Sequence, residues 1–505
     1  MNNLKYENND SCHAEIYASK NDGKLIYIHE LEKYYVYKGE RWGEDLERHS
    51  VASHKAVIEE LENHRSLLTA RLKEAEANAG INDASTSEEK SIFYNSHIAK
   101  TIMAELKELK KGIPALKSNG RIKSMIDLAK AEKGMSKSIT TFDSKGHFLG
   151  VQNGVVNLKK DTIANNEPDH LITKQCKVVY DRDAQCPNWD KLLETICQGN
   201  KDYIEYLQVI LGSALLGMSG KSKLVILCGH GANGKSTIVD TVKHILNDYS
   251  VVTTAKAITS SQANKEYYLA SIRGARLVLV NELEAGTKLD EGTVKTLIDS
   301  GETQARLPFG KPFTFQPTST TIVTTNYPPR ISADYAINRR LAMLSFDYKI
   351  PKEDRNPNYR QEVLEPELSG ILNWLIEGCK MYMDKGMDDL PPAVQASTDE
   401  FIAQNDRIGQ FIDSDCIHEH GKRISLKDFE QKYREWLDDH GYKELASDRI
   451  SNDLRSRGYE VRKSTGGLYC VIGIRFKTPS EVKTGLSVVA TDDTILDEPQ
   501  GFDYK

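Results

Sequence analysis

The segment "GHGANGKST", residues 229–237, constrains the fold more than any other, and it directly follows the apolar run "KLVILC". Gly229, Gly234, Lys235 and Ser236 fit the pattern G-x-x-x-x-G-K-[ST] without a gap. In such a loop the glycines let backbone N–H groups turn toward phosphates, and the positive end of the next helix strengthens the attraction. An apolar strand before the loop and the amphipathic "KSTIVDTVKHIL" after it predict a nucleotide site on an α/β sheet.

Within this loop each residue type has an expected task. Lys235 is predicted to reach the β- and γ-phosphates, and Ser236 to offer an oxygen to Mg²⁺, so that ATP and Mg²⁺ are the predicted cofactors. A glycine-rich turn that binds nothing is the alternative. The residues predicted to contact the nucleotide are Gly229, Gly231, Ala232, Asn233, Gly234, Lys235, Ser236 and Thr237.

Two later strands end in polar side chains that can act on a bound nucleotide. "RLVLVNELE" is apolar up to Asn281 and Glu282, and "TTIVTTN" ends at Asn326 before two prolines. A carboxylate beside a phosphate loop can hold Mg²⁺ through water and polarise the attacking water, which makes Glu282 the predicted metal-binding and catalytic carboxylate. The sequence leaves open whether Asn281 or Glu284 shares the metal. Asn326 is predicted to orient the water, and a turn-forming Asn is the alternative.

An arginine pair completes the set of catalytic candidates. Arg339 and Arg340 directly precede the apolar strand "LAMLSF". An Arg that reaches the nucleotide of a neighbouring subunit stabilises the charge of the transition state, as arginine fingers do. Two surface or salt-bridged arginines are the alternative.

Composition narrows the class of protein. The 505 residues carry a formal net charge of −6, so any contact with nucleic acid must use local basic surfaces. The eight cysteines form no C-x-x-C pair, which predicts free thiols in a reducing cytosol. The polar N-terminus is unlike a signal peptide, and "LQVILGSALLGM" is shorter than the ~20 residues that span a bilayer. We therefore expect a cytoplasmic protein without a membrane partner.

The order of these motifs resembles the superfamily 3 helicases, a branch of the AAA+ ATPases of viruses, phages and plasmids. "LGVQNGVVNL", "CPNWDKLLETI", "YLQVILGSALLG", "LVNELEAGTKLDE" and "INRRL" are similar to the phage and plasmid members related to the poxvirus primase-helicase. The resemblance is close over residues 150–350 and extends to "YYVYKGERW" near residue 35. It implies a ring, usually a homo-hexamer, with ATP between subunits and single-stranded DNA in the channel. It also implies that Arg340, rather than Arg339, acts on the neighbour's site.

The resemblance further implies contacts with DNA. Such helicases carry a hairpin that projects into the channel, and here "ARLPFGKPFTFQP" would place Phe309 and Lys311 at its tip. The C-terminal unit resembles a winged helix that docks on duplex DNA. In that unit the predicted DNA contacts are Arg449, Arg455 and Lys463.

The predicted fold is multidomain, with an α/β AAA+ P-loop ATPase core, a mainly α N-terminal region and a C-terminal winged-helix (α+β) domain. The predicted segments are a helical region with a small β hairpin (1–140), a collar (141–205), the helicase core (206–350), a helical lid (351–395), the winged helix (396–476) and an acidic tail expected to be disordered (477–505).

The predicted function is that of an ATP-dependent replicative helicase of a phage, plasmid or mobile genetic element in the host-cell cytoplasm. The alternative is an origin-binding initiator that melts DNA without processive unwinding. A P-loop switch or phosphotransferase that does not act on DNA is a third class, against which the Arg pair, Asn326 and the C-terminal helices argue. The first 150 residues show neither an acidic polymerase triad nor zinc-ligand spacing, so a separately encoded primase is a candidate partner.

Overall fold

The computed structural model describes residues 6–220, 223–259, 265–284, 286–299, 301–307, 310, 312–331, 335–442, 447–464, 466–478 and 481. Its helices are α1 (Asp10–Asn21), α2 (His49–Ala52), α3 (His54–Asn78), α4 (Ser87–Tyr94), α5 (His97–Ala115), α6 (Asn119–Ala129), α7 (Pro187–Ile196), α8 (Lys201–Ser213), α9 (Lys235–Leu246), α10 (Lys256–Thr259), α11 (Lys265–Ser271), α12 (Glu291–Ile298), α13 (Tyr335–Asn338), α14 (Leu368–Lys385), α15 (Pro392–Asn405), α16 (Arg407–Asp415), α17 (Leu426–Asp439) and α18 (Ser447–Ser456). Its strands are β1 (Leu25–Ile28), β2 (Lys33–Tyr37), β3 (Trp42–Glu44), β4 (Ser136–Lys137), β5 (Phe148–Val151), β6 (Gly154–Asn157), β7 (Thr162–Ala164), β8 (Leu224–Cys228), β9 (Ser250–Thr254), β10 (Leu277–Asn281), β11 (Thr303–Arg306), β12 (Pro312–Phe315), β13 (Thr320–Thr325), β14 (Leu341–Ser345), β15 (Cys416–Ser425), β16 (Val461–Lys463) and β17 (Tyr469–Phe476).

The N-terminal region is mainly helical, as the sequence predicts. Helices α1 to α6 surround a small sheet of order β3-β2-β1-β4, which contains the predicted hairpin as the antiparallel pair β2–β3. Apolar positions at helical spacing, among them Leu61 and Leu109, pack around the buried ring of Tyr17. The hydroxyl of Tyr17 donates to the carbonyl of Ser50 at 2.6 Å, so the buried polar atom has a partner.

The centre of the molecule is a parallel sheet of five strands in the order β14-β8-β13-β10-β9. Its strands read as nearly continuous apolar runs because helices cover both faces. Helices α8, α9 and α14 contribute to one face, and α12 with Phe401 of α15 to the other. The predicted α/β core with a parallel sheet is confirmed.

A buried cation links this core to the antiparallel sheet β5-β6-β7. Arg276, only 3% exposed, donates to the carbonyl of Leu215 and, at 2.6 Å, to that of Phe148 in β5. Its guanidinium lies 4.3 Å from the ring centroid of Tyr249, whose hydroxyl accepts from Gly150. Each terminal nitrogen of the guanidinium thus has a carbonyl acceptor, which offsets part of the cost of burying the charge.

The C-terminal unit packs α16, α17 and α18 on a sheet of order β15-β17-β16. Phe429, Tyr433 and Leu437 of α17 meet Ile450 and Leu454 of α18 in its core. The two helices and the β16–β17 hairpin lie where the winged-helix prediction puts them, and the assignment as a winged helix stays a prediction. Apart from residues 477, 478 and 481, the predicted acidic tail lies outside the described residues. Over the described part of the chain, helices that combine the length and the apolarity needed to span a bilayer are absent.

A glycine contact between α8 and α14 generates a stability prediction. A Cβ on Gly212 would overlap the backbone of Gly378 and Cys379, so the two helices approach more closely than any larger residue permits. We expect Gly212→Ala to cost about 3 kcal/mol and to lower the thermal unfolding midpoint by about 6 to 12 °C. Gly120→Ala is the matched control, because a Cβ there meets nothing within 4 Å. Equal midpoints for the two variants would contradict this packing.

Candidate nucleotide-binding site

The phosphate loop leads from β8 into α9, and two of its glycines are required, Gly229 by close approach and Gly234 by backbone conformation. A Cβ at Gly229 would overlap the carbonyl oxygen of Phe346. Gly234 is the residue before α9 and has φ +82°, a left-handed conformation that suits glycine. The loop therefore has the curled backbone that the sequence pattern predicts.

The chain that follows β14 holds this loop in place. The N–H of Phe346 donates to the carbonyl of Cys228 at 2.8 Å, and the side-chain amide of Asn233 donates to the carbonyl of Phe346 at 3.1 Å. Further along, the N–H of Ile350 donates to the carbonyl of Ala232 at 2.8 Å. These contacts join residues more than 100 positions apart, and sequence reasoning missed them because no local pattern marks them.

Lys235 is the buried cation of the site. Its ammonium donates to the carbonyl of Gly229 and lies 3.3 Å from the Oδ1 atom of Asn233. Burial lowers the pKa of the Lys235 amine. An anion near the loop would favour the charged amine, since an opposite charge offsets desolvation. Ser236 and Thr237 follow in the first turn of α9, where backbone N–H groups and the helix dipole attract phosphate.

Strand β13 lies between β8 and β10, and this order brings the candidate residues together. Thr325 pairs with Cys228 on one side, and Thr324 pairs with Asn281 on the other, so that the three strands end at one level. Asn326 and Glu282 are the next residues of their strands. They line the same cavity as the phosphate loop.

The backbone at Glu282 is strained. Its φ is +54°, which is unfavourable for a residue with a Cβ, and its N–H donates to the carbonyl of Thr324 at 3.0 Å. This hydrogen bond continues the ladder between β10 and β13 past the last paired residue. Strain of this kind costs about 1 to 3 kcal/mol and is concentrated at functional sites.

The cavity above the loop has a volume of about 1220 Å³. That is enough for a nucleoside triphosphate, since small-molecule pockets run from about 300 to 1,000 Å³. Its apolar walls suit a base, and sequence reasoning did not identify them. The apolar and aromatic lining residues are Leu192, Ile196, Val239, Tyr348, Ile350, Pro351, Pro357, Tyr359 and Val363.

Helix α7 forms one wall of this cavity and is fixed at its N-terminus by a buried carboxylate. Glu367 accepts from the backbone N–H groups of Asn188 and Trp189 at distances of 3.0 to 3.1 Å. A carboxylate at a helix N-terminus satisfies groups that have no partner within the helix. The other end of α7 carries Ile196, which packs against Gly234 of the loop.

The residues around the loop fit a magnesium ion. Mg²⁺ prefers oxygen ligands and is usually held by one or two protein groups together with substrate phosphates and water. Ser236 and Glu282 both line the cavity and provide a hydroxyl and a carboxylate. Asn281 lines it as well, with its Oδ1 atom accepting from the hydroxyl of Thr324 at 3.2 Å.

The arginine pair lies at the opposite edge of the sheet. Arg340 precedes β14, whereas the loop lies at the carboxyl ends of the strands. Its guanidinium makes two hydrogen bonds to Asp299, at 3.1 and 3.3 Å. The Nζ atom of Lys223 donates to the carbonyl of Arg339 at 2.6 Å, and the side chain of Arg339 is exposed. Neither arginine lines the cavity beside the phosphate loop of its own subunit.

The predicted DNA contacts are distributed over two places. The predicted hairpin is present as the antiparallel pair β11–β12, and Phe309 and Lys311 lie outside the described residues. The side chain of Arg449 also lies outside them. Arg455 is exposed on α18, and Lys463 is exposed at the end of β16, with its Nζ atom 5.8 Å from the ring centroid of Tyr469.

The chain matches two families of known sequences. The family described as "D5 N terminal like" matches residues 14–198, and a "Family of unknown function (DUF5906)" matches residues 227–340. A putative helicase L207/L206 of Acanthamoeba polyphaga mimivirus is 26% identical over 369 residues, covering 68% of this chain and 37% of that protein. The chain is related to the poxvirus-type primase-helicases.

Other relatives of this primase-helicase group are more distant. A putative primase C962R of African swine fever virus is 22% identical over 328 residues, covering 59% of this chain and 34% of that protein. The chain thus spans about a third of the length of the curated relatives it matches. The apo structure of the NrS-1 C terminal region overlays with a TM-score of 0.47 and 13% identity, covering 93% of this chain and all of that one.

The strained backbone at Glu282 leads to a testable prediction. We expect Glu282→Gly to keep or raise the thermal unfolding midpoint, because glycine adopts a positive φ without steric cost. The control is Glu400→Gly within α15, which is expected to lower the free energy of unfolding by about 1 kcal/mol. If Glu282→Gly lost as much stability as the control, that result would contradict the inferred strain at Glu282.

Proposed function

We propose that this primase-helicase relative is an ATP-dependent DNA helicase for the replication of a phage, plasmid or other mobile genetic element. The observation that carries the proposal is one cavity that joins the phosphate loop to Glu282 and Asn326. A parallel sheet with the phosphate loop after its first strand supports an AAA+ core of superfamily 3. Relatives named helicase and primase support an enzyme of replication.

In the proposed mechanism the loop binds the triphosphate of ATP through its backbone N–H groups and Lys235. A Mg²⁺ ion held by Ser236 and Glu282 would neutralise charge on the phosphates. Glu282 polarises a water molecule and accepts its proton as the water oxygen attacks the γ-phosphorus. Asn326 orients that water. The bond from the γ-phosphorus to the bridging oxygen breaks, and ADP leaves with its electron pair.

Arg340 is proposed to act on the nucleotide of the neighbouring subunit. Strand β14 has five residues, and at about 3.3 Å per residue it separates Arg340 from its own loop by roughly 17 Å. Repeated head-to-tail contacts close a ring when the rotation between subunits permits, and we propose a homo-hexamer. In the isolated subunit Asp299 pairs with Arg340, so a neighbour's phosphates would compete with this carboxylate.

The Asp299 pair also suggests how hydrolysis is coupled to DNA. Asp299 follows α12 and lies four residues before β11, the first strand of the proposed DNA-binding hairpin. Release of Arg340 from Asp299 would free the segment that leads into that hairpin. Lys311 and Phe309 are the proposed contacts with one strand in the channel, since a Lys binds phosphate and an aromatic ring stacks on bases.

One observation supports an origin-binding initiator as a second candidate. The C-terminal unit exposes Arg455 on α18 and Lys463 on its β hairpin, and a winged helix would present both to duplex DNA. An initiator would use ATP for assembly or melting rather than for processive unwinding. A P-loop switch that does not act on DNA is less well supported, because the arginine pair would have no role in its mechanism.

A strand-displacement assay on forked DNA tests the proposal. We expect wild-type protein to hydrolyse ATP faster when single-stranded DNA is present and to separate the strands. Lys235→Ala and Glu282→Gln should each lower both rates by about 100-fold or more, because each removes a group that acts on the phosphates or on the water. Lys243→Ala, on a half-buried cation near the far end of α9, is the control. Hydrolysis without strand separation would favour the initiator, and the absence of DNA-stimulated hydrolysis would contradict both candidates.

Mixing inactive variants tests whether sites are shared between subunits. Arg340→Ala alone should lower the rate of hydrolysis by about 1,000-fold. An equimolar mixture of Arg340→Ala with Lys235→Ala should recover roughly a quarter of the wild-type rate, because random ring assembly places an intact arginine beside an intact loop at that frequency. No recovery in mixed rings would contradict the proposed role of Arg340. The same experiment with Arg339→Ala in place of Arg340→Ala shows whether Arg339 is the acting residue instead.

A further inference from the structure

Arg355 lines the nucleotide cavity of its own subunit and has no part in the proposed mechanism. Arg355 belongs to the segment after β14, directly behind the short 3₁₀ turn Lys352–Asp354. It lines the cavity together with Gly231 to Thr237 of the phosphate loop. Sequence reasoning gave it no function, because "PKEDRNPN" carries no recognisable motif.

Arg355 is tied to the phosphate loop through a single residue. Its Nε atom donates to the carbonyl of Ile350 at 2.9 Å, while the N–H of Ile350 donates to the carbonyl of Ala232 at 2.8 Å. Two hydrogen bonds thus connect the guanidinium to the loop that would hold phosphates. A tether through Nε fixes the planar group and leaves the N–H groups of Nη1 and Nη2 for another acceptor.

The charge of Arg355 is not neutralised by a nearby carboxylate. Two other arginines near the core sheet are ion-paired, Arg360 with Glu365 at 2.7 Å and Arg340 with Asp299 at 3.1 Å. Across the described part of the chain, Arg355 has no ion pair within 4.0 Å. Asp240, Glu282 and Asp354 line the same cavity without pairing with it.

We infer that Arg355 is a phosphate-binding residue that acts in cis, on the nucleotide held by the loop of its own subunit. This inference rests on the nucleotide site of the proposed function and not on helicase activity. A guanidinium presents two parallel donors that match the oxygens of a phosphate group, and charge-assisted bonds of this kind are strong. The ligand class is a nucleoside diphosphate or triphosphate. Both carry a β-phosphate, whose oxygens would accept the hydrogen bonds of the guanidinium.

The tether gives this cation a different task from Arg340. Arg355 moves with the loop through Ile350, so it binds the phosphates in the ground state as well as in the transition state. Binding that is equal in both states changes KM and leaves kcat nearly unaltered. Arg340 instead approaches from the neighbouring subunit and is expected to change kcat.

Equilibrium binding of ATP, ADP and AMP tests the assignment on the full chain. We expect Arg355→Ala to raise the Kd of ATP and of ADP about 10- to 100-fold, and to leave the Kd of AMP unchanged. The KM for ATP should rise in parallel with little change in kcat. Arg355→Lys should recover part of the affinity, because the charge is kept and the paired donors are lost.

Lys352→Ala is the matched control. Lys352 is an exposed cation in the turn that precedes Arg355, and it does not line the cavity. Its affinities should equal those of wild-type protein. If Arg355→Ala lost affinity equally for ATP, ADP and AMP, the residue would only support the cavity wall, and that result would overturn the inference. Unchanged affinities in Arg355→Ala would overturn it as well.

Mixed rings separate action in cis from action in trans, at an ATP concentration near the wild-type KM. Arg355→Ala mixed with Lys235→Ala should show no gain over the low rate that Arg355→Ala keeps at this ATP concentration, because each subunit then lacks a group of its own site. Arg355→Ala mixed with Arg340→Ala should recover about a quarter of the wild-type rate. The reverse pattern would assign Arg355 to the neighbour's site and overturn the inference. Wild-type protein that binds ATP without separating DNA strands would refute the proposed helicase and leave the inference intact.

Discussion

The site depends on the parallel pairing of β13 with β8 on one side and β10 on the other. Parallel strands in register end at the same level, so the residues that follow Cys228, Thr325 and Asn281 meet at one edge of the sheet. This pairing places Asn326 nearer the phosphate loop and Glu282 one strand further away. Because helices pack on both faces of the sheet, a shift in register would break the fit between the strand side chains and those helices, so the geometry of the site is fixed by the core.

Strand β14 connects the proposed arginine finger to the phosphate loop. Arg340 stands before its first residue, and the chain after its last residue holds the phosphate loop through Phe346 and Ile350. A short, buried strand is a rigid connection, so a displacement at one end is transmitted to the other. In a ring, the arginine that senses one subunit's nucleotide would be joined by this strand to the next nucleotide site. The same continuation carries Arg355, which therefore belongs to the loop's side of the molecule.

Most of the polar strand ends that line the cavity could be predicted from the sequence, and little of its remaining wall. The loop, Glu282 and Asn326 each follow an apolar strand, and such a strand end is a local pattern that is visible in the residues themselves. The walls of the cavity could not be predicted. Ile350 joins the loop through backbone hydrogen bonds that any residue type can make. Glu367 fixes α7 from about 180 positions away, so no local spacing indicates it.

The sequence by itself determined the backbone form of the phosphate loop, the parallel α/β core and the helical N-terminal region, because glycine conformation and apolar periodicity are local properties. Only the tertiary structure decided which strand lies beside which, and so which polar strand ends share a cavity. It also decided that Arg340 lies at the far edge of the sheet while Arg355 faces the subunit's own loop. Both arginines lie within about ten residues of β14 in the sequence, and only the path of the backbone around that strand places them at different ends of the sheet.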